Sequence, residues 1–175
     1  MPLYPNTDPE RTLSGVVKFT EASSIALHTM AILAADPDRH VTIHEVAARL
    51  PVSENHLAKV LQRLARAGLV ESVRGPGGGF TLSGDPERVT LLEVYEVIEG
   101  KLEIAGCLFD PPQCCGTCLL GPALHDANAL VHARLAGTRL SDLVALFPPP
   151  APAFVAPPSG TRGKARPTAP AGRRP

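Results

Sequence analysis

None of these 175 residues falls in a run of ~20 consecutive apolar positions, the length a membrane span requires. The N-terminus lacks a charged segment followed by an apolar one, so no signal peptide is expected. The simplest expectation is a soluble cytoplasmic protein without a membrane partner. Cysteine is missing everywhere except one window, where Cys107, Cys114, Cys115 and Cys118 share twelve positions. A secreted disulfide scaffold spreads its cysteines along the chain, so this cluster points to a metal or redox site in a reducing compartment. No βαβ pattern surrounds the Cys115–Cys118 pair, which argues against a thiol–disulfide enzyme. Neither an enzyme activity nor a small-molecule substrate is expected.

Net charge is also absent, with 17 basic residues against 17 acidic ones. The zero conceals a segregation. The stretch from Pro148 carries Arg162, Lys164, Arg166, Arg173 and Arg174 and no acid, leaving 12 basic against 17 acidic residues in the body. Within that acidic body, Ser53–Arg74 is locally basic, with Lys59, Arg63, Arg66 and Arg74 against Glu54 and Glu71. A small basic face on an acidic body suits docking to a polyanion on one side, although ordinary charge scatter gives the same totals.

What is present is most concentrated in VLQRLARAGLVESVRGPGGGFTL, Val60–Leu82. It reads as an amphipathic helix ending at a glycine, then two short apolar strands joined by the loop Gly75-Pro76-Gly77-Gly78-Gly79. Upstream, Thr20 is placed to cap a helix from Glu21 to about Ala35, with Ile25, Met30 and Leu33 among its apolar positions. Asp36-Pro37-Asp38 breaks it. Thr42 and Glu45 have capping-box spacing and open a short helix to Leu50. After the turn Pro51-Val52-Ser53, Ser53 caps a third helix whose Leu57, Val60, Leu61 and Leu64 share one face. Gly68 suits its C-terminal left-handed position. Helix, helix, tight turn, helix and hairpin make a helix-turn-helix with a wing.

A second capping box, Thr90 and Glu93, precedes LLEVYEVIEG, which ends at Gly100. Another helix is expected from Gly121-Pro122 through Ala123–Leu135, with Leu124, Ala127, Val131 and Leu135 as its apolar stripe. A second copy of the same helix would cover that stripe; packing back on its own domain is the alternative. The expected class is mainly α: a winged helix-turn-helix domain with a C-terminal dimerisation helix. The divisions are a disordered 1–15, the winged domain 16–100, a cysteine-rich loop 101–120, a dimerisation helix and short terminal helix 121–147, and a disordered basic tail 148–175.

A recognition helix presents its N-terminal residues to base edges in the major groove. Here those are Asn55, His56 and Lys59 beside the cap Ser53, with Gln62 or Arg63 further along. Asn pairs bidentately with adenine, and Lys suits guanine or phosphate. Arg74, next to Gly75 on the wing, is placed to enter a minor groove. The competing readings are a plain polar face with a mobile hairpin, or a protein-interaction module. The cysteines run C-x6-C-C-x2-C in GCLFDPPQCCGTCLLG. Thiolates on such a loop suit an iron–sulfur cluster or zinc. Adjacent Cys114 and Cys115 diverge, so three thiolates plus an outside ligand fit better than four. Zinc usually shows two separated ligand pairs, and a cofactor-free thiol switch is a third option.

NHLAKVLQRLARAGLVESVRGPGGGFTL (Asn55–Leu82), TLLEVYEVIEG (Thr90–Gly100), the cysteine loop and RLSDLV (Arg139–Val144) resemble the Rrf-type winged-helix regulators, whose members include IscR-, NsrR- and RsrR-like proteins. The likeness covers roughly Val17–Leu146. It implies a homodimer on promoter double-stranded DNA, with one iron–sulfur cluster, [2Fe–2S] or [4Fe–4S], per subunit near the dimer interface. Matched by position, Cys107 and Cys118 are the outer ligands and Cys114 or Cys115 the middle one. Gly121 stands where IscR-like members place a histidine ligand. Ser24 stands where NsrR-like members use an acidic residue from the partner subunit. His28, one turn later, matches a histidine of RsrR-like members and is the candidate fourth ligand. Ala58 replaces a glutamate that reads the operator in IscR-like members. The implied function is a sequence-specific transcriptional regulator, a repressor, whose cluster reports nitric oxide, redox state or iron–sulfur supply. The alternatives are a zinc-bound or cofactor-free thiol-switch regulator, or an interaction module.

Overall fold

The computed structural model describes residues 17–75, 77–104, 107 and 118–146. The disorder expected for 1–15 and from 148 onward, Pro76, and the cysteines Cys114 and Cys115 lie outside the described residues.

Helix α1, Glu21–Ala34, opens at Thr20 as its sequence indicates. The Thr20 hydroxyl accepts from the Ser23 backbone N–H at 3.3 Å, and the Ser23 hydroxyl accepts from the Thr20 N–H at 2.9 Å. Small residues (Ser23, Ala26, Ala31, Ala34) alternate with Ile25, Met30, Ile32 and Leu33, and all are buried. The helix is thus dry on nearly every side. It packs against the third, fourth and sixth helices and the second strand introduced below.

Helix α2, Ile43–Ala47, has the expected capping box: Glu45 accepts from the Thr42 N–H at 2.8 Å and donates its own N–H to Thr42 Oγ1 at 3.2 Å. It stops three residues short of the expected Leu50. Pro51 disfavours helical geometry at the residue before it, which accounts for the early end. Helix α3, Glu54–Arg66, is capped by Ser53 and buries Leu57, Val60, Leu61 and Leu64, the stripe read from the sequence. It ends in a Schellman motif: Leu69 N–H reaches Leu64 O at 3.0 Å and Gly68 N–H reaches Ala65 O at 3.1 Å.

Strands β1, Val70–Val73, and β2, Gly79–Leu82, pair antiparallel with Val70 opposite Leu82 and Val73 opposite Gly79. Gly79 is therefore a strand residue, and the connecting loop is Arg74–Gly78 instead of Gly75–Gly79. Val41 joins this hairpin through an isolated bridge, exchanging two backbone hydrogen bonds of 2.9 Å with Phe80. Gly78, in the loop, and Gly79, in the strand, each have a steric reason. A β-carbon at Gly79 would lie 2.7 Å from the Val41 carbonyl oxygen, and one at Gly78 would lie 2.2 Å from that of Val73. Both distances are inside van der Waals contact, so the wing needs glycine at its base.

Helix α4, Leu91–Glu99, starts at the Thr90–Glu93 box and ends at Gly100, burying Val94, Tyr95 and Ile98. Helix α5, Gly121–Gly137, packs on α4 and buries Asn128 and Leu135, with Leu124 and Val131 half-buried. Ala127, expected in that stripe, is exposed; Asn128 takes its place because its Oδ1 accepts the Val17 N–H at 3.0 Å. Helix α6, Leu140–Leu143, and a 3-10 turn, Val144–Leu146, return to α1. Leu91 N–H bonds Thr138 O and Leu140 N–H bonds Val89 O, each at 3.0 Å, and Leu140 is fully buried. Leu140 of α6 shares the core cluster of α1, α3 and α4.

The segment before α1 is tied to α4. Tyr95 donates its hydroxyl to Lys18 O at 2.9 Å, its ring meets Phe19 edge-on at 5.3 Å, and Glu99 accepts from the Thr20 N–H at 3.3 Å and from the Thr20 hydroxyl. Burial pushes the Glu99 carboxyl up, but hydrogen bonds from Thr20 and Ser23 and the nearby Lys18 charge outweigh it, and its pKa lies below the ordinary value. A depressed carboxylate stabilises the fold above its unfolded pKa, and that contribution is lost as pH falls through the folded value. Thermal midpoints should therefore fall as pH drops below the ordinary carboxylate range. Glu99→Gln should remove part of that acid-side slope, leaving the share due to Glu45, whose carboxyl is lowered chiefly by the Thr42 backbone N–H. Parallel curves for the two proteins would contradict this role for Glu99.

Candidate nucleic-acid interface

The buried stripe of α3 fixes which residues face outward. With Leu57, Val60, Leu61 and Leu64 against the core, Ser53, Asn55, Lys59, Gln62 and Arg66 are all exposed. His44 on α2 stands 3.0 Å from the Glu54 carboxylate and joins the two helices across their turn. His56 is half-buried, with Nδ1 3.8 Å from Glu21 of α1, so its ring leans toward the body more than its neighbours on the reading face do. Arg74 and Gly75 are exposed at the start of the wing loop.

Arg63 is exposed beside Asn55, Lys59 and Gln62 and also reaches the body. Its guanidinium donates to the carbonyl oxygens of Val97, at 3.2 Å, and Ile98, at the C-terminus of α4. Val41, which bonds the wing to the body, carried no local signal that would have singled it out; its pairing with Phe80 spans the whole helix-turn-helix.

Cys107 and Cys118 are half-buried within the segment joining α4 to α5. His28 lies on the exposed side of α1, its Nδ1 2.7 Å from Ser24 O. It lines a groove of about 280 Å³ with Glu21, Ser24 and Ile25 of α1 and Leu50, Pro51 and Val52 of the turn before α3. Among the described residues, no three His, Cys, Asp or Glu side chains gather as a metal site, so His28 is not brought onto the two cysteines within one chain. Among them, too, no helix is long and apolar enough to cross a membrane.

A two-helix reading unit, a bonded glycine hairpin and an exposed polar face on the second helix define a winged-helix DNA-binding protein. The sequence pattern of the Rrf2 family, described as an iron-dependent transcriptional regulator, matches residues 19–146, and the chain belongs to that family. It is 36% identical over 133 residues to the transcriptional repressor NsrR of Streptomyces coelicolor, covering 74% of this chain and 88% of that one. It is 46% identical over 83 residues to the regulator BadM of Rhodopseudomonas palustris, an alignment spanning 47% of this chain and 53% of BadM. The solved structure of CymR, the global cysteine regulator of B. subtilis, superposes with a TM-score of 0.62 at 24% identity, over 75% of this chain and 98% of CymR; at that identity it shows the fold. The chain is accordingly a DNA-binding transcriptional regulator of the Rrf2 family, and its relatives are regulators rather than enzymes.

Two substitutions separate reading from anchoring. Asn55→Ala should cost about 1–3 kcal/mol on a bound operator and relax preference at one base position. Arg74→Ala should weaken binding more evenly across sequences and, if it meets phosphate or a narrow minor groove, lower the salt dependence of affinity by about one unit of slope. Fluorescence anisotropy over a salt series distinguishes them; equal loss on every sequence for Asn55→Ala would contradict a base-reading role.

Proposed function

We propose that this regulator acts as a homodimeric repressor on promoter DNA and that an iron–sulfur cluster in the Cys107–Cys118 loop sets its operator affinity. The observation that carries the proposal is the pair of half-buried thiols, Cys107 and Cys118, within the α4–α5 connection. Thiolates are soft ligands, and a loop delivering several of them from one short segment suits an iron–sulfur centre. The donor chemistry therefore fits the group, as does the family's description as iron-dependent. Cys107, Cys118 and one of Cys114 and Cys115 would hold it. His28 of the partner subunit would complete the set, since one chain does not gather it with the cysteines. When bound, the cluster supplies a centre sensitive to nitric oxide, oxidation or shortage of iron and sulfide.

The remaining roles belong to the chain's own residues. Lys59 and Arg74 would neutralise phosphate or groove potential, and Asn55 and Gln62 would read base edges. The dimer is supported by α5, where Leu120 and Leu130 are 58% and 62% exposed and share a face with exposed Ala123 and Ala127. That face alternates at three- and four-residue intervals, which suits an antiparallel or crossed contact with its own copy. Repression follows the named relative NsrR, and nitric oxide, redox state and iron–sulfur supply are the candidate signals.

An anaerobic ultraviolet–visible spectrum with iron, acid-labile sulfide and zinc analysis tests the proposal. A coloured protein with iron and sulfide in comparable amounts is expected, with colour lost in Cys107→Ser. A colourless protein that resists reconstitution, or one loaded with zinc, would contradict the cluster and leave the DNA-binding surface unaffected.

A further inference from the structure

Helix α4 ends where the cysteine segment begins. Gly100 N–H closes on Glu96 O at 3.0 Å, but the Leu102 N–H, which a continuing helix would send to Ile98 O, turns to the Glu96 side chain at 3.2 Å. The carbonyls of Val97 and Ile98 are thereby left at a helix end without their helical donors. Arg63, from the last turn of α3, supplies the replacement: one terminal nitrogen of its guanidinium donates to both. A fixed positive charge at a helix C-terminus is also favoured by the helix dipole. Glu99 ties the same end of α4 to the Thr20 cap of α1. The end of α4 is thus a junction among α1, α3 and the chain leading to Cys107.

We propose that Arg63 is the positioning residue that transmits the state of the cysteine loop to the recognition helix. The proposal rests on the reading of that loop as a sensor. Arg63 lies one turn beyond Lys59 on α3, which is otherwise seated by its apolar stripe and, at its N-terminal turn, by the His44–Glu54 and His56–Glu21 contacts. Apolar contacts tolerate small tilts, whereas a guanidinium donating to two carbonyls fixes direction. A displacement of the α4 end when the loop gains or loses its occupant would pull on Arg63 and rotate the outward face of α3. Two recognition helices must match half-sites at fixed spacing, so a small rotation in each is enough to change affinity.

The test compares full-length wild type, Arg63→Gln and Arg63→Lys, each cluster-loaded and cluster-free. Operator affinity is measured by anisotropy, and hydrogen exchange of the α3 amides is followed in the absence of DNA. Wild type should show an affinity ratio between the two states of roughly 10–100-fold, the usual range for coupled sites. In Arg63→Gln the ratio should fall to within about 3-fold of unity, with iron content retained and the exchange change confined to α4 and the loop. A merely structural arginine would weaken both states alike and leave the ratio standing, which would overturn the proposal. If Arg63→Gln does not fold, Arg63→Lys decides: a reduced ratio supports the clamp and an unchanged one overturns it. Equal affinities in the wild type itself would overturn the sensor reading and the coupling together, and that failure is recognised without any variant.

Discussion

A helix that is apolar on all but one narrow flank, Glu21, Ser24 and His28, must be covered everywhere else, and α1 imposes that requirement on the rest of the chain. Fully burying one Leu, Ile or Met side chain contributes about 1.5–3 kcal/mol, so leaving any other flank of α1 wet would cost a large part of the stability of a domain this size. Helix α3 covers one side, α4 another, β2 a third, and the late α6 returns across the sequence to close the remainder with Leu140. The orientation of the reading surface follows from this. Because Leu57, Val60, Leu61 and Leu64 are committed to the core, Asn55, Lys59 and Gln62 have no direction left but outward.

The polar layer around that core sets geometry more than stability. Thr42, Thr90 and Thr20 each start a helix through a reciprocal side-chain exchange with the third residue on, fixing where α2, α4 and α1 begin. The Val41–Phe80 bridge and the close backbone approach at Gly79 hold the wing base to the segment entering α2. The wing and the recognition helix are thereby both referred to one body, as simultaneous contact with adjacent grooves requires. Helix α4 connects that body to the cysteine segment, and its end is held by Arg63 and Glu99.

Features that depend on residues within one turn were legible in the sequence. The three threonine caps, the α3 stripe, the Gly68 terminus and the hairpin were read from spacing alone, because each is decided locally. Features decided by distant partners were not. Nothing near Arg63 distinguishes a groove-facing arginine from one reaching α4, 34 and 35 positions away in sequence. Asn128 interrupts the apolar spacing of α5 because it serves the Val17 N–H, 111 positions away. Leu140 looked like part of a terminal appendage because burial against α1 has no local signature. The placing of Gly79 failed for a related reason: in a run of three glycines only the pairing partner Val73 and the approach of Val41 say where the loop stops. The Cys114 and Cys115 ligand assignments rest on spacing and family likeness, since both residues fall outside the described segments.

In the function proposed above, α3 and the wing form one reading head, presented twice by a symmetric dimer and governed from the cysteine loop. Hydroxyl-radical footprinting of an operator selected from a random pool, with the same protein before and after anaerobic removal of its iron, addresses all three parts. Two symmetric sets of backbone protections are expected, separated by a whole number of helical turns of roughly 10 bp each and flanked by minor-groove protection from the wing, with a change in protection when iron is removed. A single unsymmetric footprint, or one that is identical in both states, would contradict that function.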